Sequence, residues 1–118
     1  MGKFLTSFKF AWRGILVHFG SQRNAKIQLA VALMVVVAGF VFGVEPPEWC
    51  ALILCIVIVF AAEGLNTALE SLADAVHPER DPLVGRAKDV AAGAVLICAL
   101  GAVLVGAIIF LPHLGLSL

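Results

Sequence analysis

Charge is scarce in this chain. Only 14% of its 118 residues are Asp, Glu, Lys or Arg, while 62% are hydrophobic and the mean hydropathy is +1.07. A water-facing domain carries about 25% charged and about 45–50% apolar residues, so a soluble globular protein is excluded and lipid must be the solvent over much of the chain. Acid is missing altogether from the first 26 residues, where Lys3, Lys9, Arg13, Arg23 and Lys26 stand alone. A basic, Phe-rich start beside apolar spans predicts contact with anionic headgroups rather than nucleic acid. The cysteines are few and lack metal-ligand spacing; Cys50, Cys55 and Cys98 sit in apolar runs and read as small hydrophobes. No internal repeat, low-complexity segment or cleavable signal peptide is apparent, so the first span is expected to stay as an anchor. The glycine loops of P-loop NTPases and protein kinases are also lacking, and any ATP site must be of another kind.

What is present is helical and apolar. Phe4, Phe8, Trp12, Ile15, Leu16 and Phe19 recur at three- and four-residue spacings, which predicts an amphipathic surface helix over about 1–20. Three spans are expected at about 27–44, 49–76 and 83–111, each long enough at about 1.5 Å per residue for a core of about 30 Å. Gln28 is the only strongly polar residue of the first. Gly43 and a turn at 45–48 are expected to end it, with Trp49 opening the second, Pro78 stopping that helix and Pro112 stopping the third. The expectation is therefore an all-α integral membrane protein with one domain over 1–118. Lys and Arg gather in the N-terminal arm and at Arg80, Arg86 and Lys88, so the N-terminus is expected in the cytoplasm and the C-terminus outside. Gly93, Gly101 and Gly106 would let helices approach closely, and three spans alone make a thin bundle, so oligomerisation is expected.

The chemistry gathers in the second helix. Glu63, Asn66, Glu70 and Asp74 are spaced 3, 4 and 4 apart and fall in a stripe roughly 80° wide, with Thr67 beside it and Leu65, Leu69 and Leu72 on other faces. A carboxylate near the bilayer centre costs about 2.5–3.5 kcal/mol. A bound metal, proton handling or a structural salt bridge could each compensate. Lys88 at the start of the third helix can bring a point charge to a phosphate. Its neighbour Asp89 could instead complement the helix macrodipole. Aligned carboxylates and a lysine at headgroup depth suit phosphoryl transfer at a membrane surface, which relies on positioning and electrostatics. A small proton-coupled transporter is the alternative, although its sites commonly lie at the midplane between internal repeats. The histidines have plainer roles, His18 and His113 at the interface and His77 in a loop.

Glu63-Gly-Leu-Asn66-Thr67-Ala-Leu-Glu70-x-x-x-Asp74, followed by Arg86-Ala-Lys88-Asp89-Val-Ala-Ala-Gly93, resembles the prokaryotic diacylglycerol kinase family, as does Phe8-Lys9-Phe10-Ala11-Trp12-Arg13-Gly14. The resemblance spans almost the whole chain. It implies an ATP- and Mg2+-dependent lipid kinase of the bacterial inner membrane, a homotrimer with sites shared between protomers on the cytoplasmic side. It further implies Glu63 as general base and Asn66 as a positioning residue. Glu70 would be a Mg2+ ligand, Lys88 a contact to the ATP phosphates, and Asp89 and Asp74 supports of the nucleotide site. The substrate would be diacylglycerol or undecaprenol; residues 77–79 and 90–95 look more like the undecaprenol kinase branch. One departure stands out: Gln22 falls where the family usually has a second metal-binding glutamate, which predicts weaker Mg2+ binding unless another acid such as Glu79 compensates.

Overall fold

The computed structural model describes residues 2–116; the expected helical start at residue 1 and the end of the C-terminal tail lie outside them. Four helices follow one another among the described residues: α1 (Gly2–Ser21), α2 (Arg23–Phe42), α3 (Pro46–Val76) and α4 (Pro82–His113). The last three are long and apolar enough to cross a membrane. Their lengths of 20, 31 and 32 residues correspond to about 30, 46 and 48 Å, so α3 and α4 extend beyond a hydrocarbon core. Short links join α2 to α3 and α3 to α4, and α3 packs most extensively on α4.

Pro78 follows the end of α3 at Val76 as expected, but Pro46, Pro47 and Pro112 do not mark the helix ends expected of them. Pro46 and Pro47 occupy the first turn of α3, where their missing N–H groups would have no helical partner in any case. The Glu48 carboxylate accepts the Glu45 N–H at 2.9 Å, one arm of a capping box. The turn is therefore confined to 43–45, and α3 starts three residues before Trp49. Gly43 takes the left-handed conformation (φ 65°, ψ 47°), with the Val44 N–H returning to the Gly39 carbonyl at 3.1 Å. Pro112 does not stop α4 but lies inside its last turn. At the other end α4 is capped by Asp81, whose Oδ1 accepts the N–H groups of Leu83 (2.8 Å) and Val84 (3.2 Å).

Little of the chain is buried. Val44, Leu52 and Ile109 form a small core, closed by Phe42 against Phe110 and by His113 Nε2 at 3.8 Å from Glu48 Oε1. Large hydrophobics along the spans, such as Phe40, Leu65 and Val103, are exposed. An apolar surface of that extent belongs against lipid or other helices rather than water. Helix α1 is exposed on every face through residue 17 and joins the bundle only at its end, where Phe19 meets Phe60 edge-on at 5.2 Å.

The glycines of α4 are not the sites of close approach within the chain: a Cβ at Gly93, Gly101 or Gly106 would meet nothing within 4 Å. The close approach is at Gly39, where a Cβ would lie 2.5 Å from Trp49 Cη2 and 2.8 Å from Cζ2. Gly39→Ala is accordingly expected to destabilise the fold by about 1–3 kcal/mol through overpacking. The check is the thermal midpoint in detergent, where Trp49→Phe, by withdrawing the outer ring, should restore much of the loss.

Candidate active site

The polar stripe of α3 rises from the interior to the surface. Glu63 and Asn66 are buried, each 9% exposed, whereas Glu70 and Asp74 are exposed. The gradient follows from helix geometry, since each step of three or four residues moves about 5–6 Å along the axis. Leu65 and Leu72 stay on exposed faces.

Three side-chain links run along this line. Gln28 Nε2 of α2 donates to Glu63 Oε2 at 3.5 Å. Asn66 Nδ2 donates to Glu70 Oε1 at 3.3 Å, tying two members of the stripe one turn apart. Lys88 Nζ of α4 pairs with Asp74 Oδ1 at 2.5 Å. All three spans thus contribute to one polar seam. It also holds acceptors without a donor: Gln28 Oε1 and Asn66 Oδ1 are buried and unpartnered. A seam rich in free oxygen acceptors suits a hydroxyl donor or a hard cation.

The other expected residues are placed less directly. Gln22 is the half-buried N-cap residue of α2, and no hydrogen bond joins it to Glu70 among the described residues. Asp89 is exposed and lies more than a turn inside α4. The macrodipole role considered for it therefore does not apply, because that effect fades within the first turn; Asp81 has the capping role. Glu79 lies exposed in the 77–81 loop, where its carbonyl meets His77 Nδ1 at 3.0 Å. Both ring nitrogens of His18 are buried without a hydrogen-bond partner, beside the Phe19 ring.

Among the described residues no three His, Cys, Asp or Glu side chains converge as a metal cage. Magnesium seldom uses one; it takes one or two protein oxygens together with substrate phosphates and water. Glu70, the free oxygen of Asn66 and Gln22 fit such partial ligation in donor type.

Below the seam, α2, α3 and α4 enclose an apolar cleft of about 330 Å³. Ile27, Gln28, Val31, Val35, Phe60 and Phe110 are among its walls, and Gln28 is the one strongly polar residue lining it. From Gln28 to Val35 the cleft runs about 10 Å along α2.

Comparison with known proteins places the chain in a family. The prokaryotic diacylglycerol kinase family model matches residues 9–110. Undecaprenol kinase of Bacillus subtilis (strain 168) is 38% identical over 97% of this chain and 93% of its own length. A diacylglycerol kinase of Synechocystis sp. is 40% identical over 93% of this chain, but the match covers 63% of that protein. Diacylglycerol kinase of Escherichia coli (strain K12) is 29% identical over 90% of this chain and 87% of its own length.

Proposed function

The chain belongs to the prokaryotic diacylglycerol kinase family and is a lipid kinase, and from that premise we propose that it phosphorylates undecaprenol. The observation that carries this reading is the cleft beneath Glu63, apolar up to Gln28. A polyprenol is hydrocarbon up to its terminal hydroxyl, whereas diacylglycerol carries two ester groups beside the hydroxyl that would need polar partners. The near full-length match with an undecaprenol kinase points the same way. Phosphorylation of diacylglycerol is the second reading, favoured by the 40% identity to a diacylglycerol kinase. The test is transfer of labelled γ-phosphate to the two lipids in competition. Preferential labelling of undecaprenol is expected, and preferential labelling of diacylglycerol would overturn the assignment.

In the proposed reaction Glu63 is the general base. It takes the proton of the lipid hydroxyl as that oxygen attacks the γ-phosphorus; the new P–O bond forms, the bond to the β,γ-bridging oxygen breaks, and ADP leaves with the electron pair. Glu63 then returns its proton to water. Asn66 orients Glu70 through their hydrogen bond. Lys88, held near the surface by Asp74, contacts the phosphates of ATP, and Asp89 supports the nucleotide site from the next position on α4. Glu70 and Gln22 would hold the Mg2+ that offsets the triphosphate charge. Because Gln22 brings an oxygen but no charge, Gln22→Glu is expected to lower the Mg2+ concentration needed for half-maximal activity. An unchanged Mg2+ dependence would remove Gln22 from the metal site.

The N-terminus and the 77–88 region lie on the cytoplasmic side in this reading, for Lys and Arg collect there and the 43–45 link has none. The protein acts as a homotrimer. Exposed apolar faces on every span and open space beside the α4 glycines support that assembly.

A further inference from the structure

Gln28 lies in the second turn of α2, flanked by Ile27 and Leu29, and is the only polar side chain of that helix after Lys26. An amide in hydrocarbon needs a partner and adds nothing to packing that Leu or Met would not supply. Its amide donates to Glu63, a residue 35 positions away on another helix. Glu63 is itself only 9% exposed, so the amide is a built-in part of its surroundings. The contact leaves Glu63 Oε1 free of Gln28, and Gln28 Oε1 is left buried without a donor. Gln28 also lines the apolar cleft. The free acceptor therefore belongs to the residue that stands between the cleft and the carboxylate.

We propose that Gln28 is a positioning residue for phosphoryl transfer. Its amide holds Oε2 of Glu63, turning the other oxygen of the carboxylate toward the lipid hydroxyl at the head of the cleft. A neutral donor suits the task, because a Lys or Arg would neutralise the carboxylate that must accept a proton. The 3.5 Å separation is long for a hydrogen bond and is expected to shorten when substrate is bound, as catalytic contacts commonly do. This inference rests on Glu63 being the base.

The test is Gln28→Met, close in volume and apolar, measured for kcat, KM for ATP and thermal midpoint in detergent, alone and combined with Glu63→Asp. Loss of orientation should lower kcat by about tenfold to a hundredfold, with KM for ATP unchanged. The thermal midpoint should change little, because removing a polar group from the span offsets the hydrogen bond that buried Glu63 loses. In the Glu63→Asp background, where the carboxylate is withdrawn from the amide, the same change should add little further loss. An unchanged kcat, a loss of the same factor in both backgrounds, or a loss explained by a lower thermal midpoint would each overturn the positioning role. Turnover of Glu63→Gln, measured alongside, separates the two failures: an active Glu63→Gln removes the base itself, whereas an inactive one with fully active Gln28→Met removes only the positioning role.

Discussion

Glu63→Gln is expected to fold, assemble and bind ATP as the parent does, yet to lose phosphoryl transfer by a factor of about 10²–10⁴, the range of a general base. The substitution is close to isosteric, and the new amide carbonyl can still accept the hydrogen bond from Gln28 Nε2. What disappears is the proposed proton acceptor. Removing a carboxylate that is only 9% exposed also relieves a desolvation penalty, so the thermal midpoint should hold or rise. Transfer of labelled γ-phosphate together with thermal melting in detergent checks both halves. Parent-level turnover in Glu63→Gln would take the base role away from Glu63.

The second large effect is expected at Lys88. Its ammonium pairs with Asp74, but the side chains are 35% and 66% exposed, and an exposed pair contributes only about 0–1 kcal/mol to stability. Lys88 can therefore exchange Asp74 for a phosphate oxygen at little cost. Lys88→Met should lower kcat/KM for ATP by about 10²–10³, the magnitude for losing one donor to transition-state charge, with stability almost unchanged. Asp74→Asn should have a far smaller effect, because it removes the tether and not the charge proposed to meet the phosphates. ATP titrations of both variants give the comparison. Equal losses would mean that Asp74 contacts the nucleotide site as strongly as Lys88 does.

Reading a membrane protein from its sequence works unevenly along this chain. The three spans were legible because lipid tolerates only helices whose backbone bonds are satisfied internally, so an apolar run announces its own structure. The Glu63–Asp74 stripe was legible for a related reason, since charge in such a run is costly and its spacing follows the helix. Prolines are harder to read because their effect depends on position: Pro78 ends α3, whereas Pro46 and Pro47 open a helix where the same residues inside one would break it. Asp89 offers a charge near the start of α4, but Asp81 is the residue whose side chain reaches the free N–H groups.

The sequence by itself determined the helices, their apolar faces and the line of acids on α3, because these depend on local periodicity and on the cost of charge in lipid. Only the tertiary structure decided which side chains meet across helices. Gln28 is a lone polar residue in the sequence and a neighbour of Glu63 in space; Lys88 and Asp74 belong to different helices and form one ion pair. Gly39, with nothing in its own helix to distinguish it, is the place where Trp49 lies too close for a Cβ. The reason is the same in each case. Periodicity sets the face a residue occupies on its own helix, while the partner on that face depends on how separate helices are rotated and shifted when they pack.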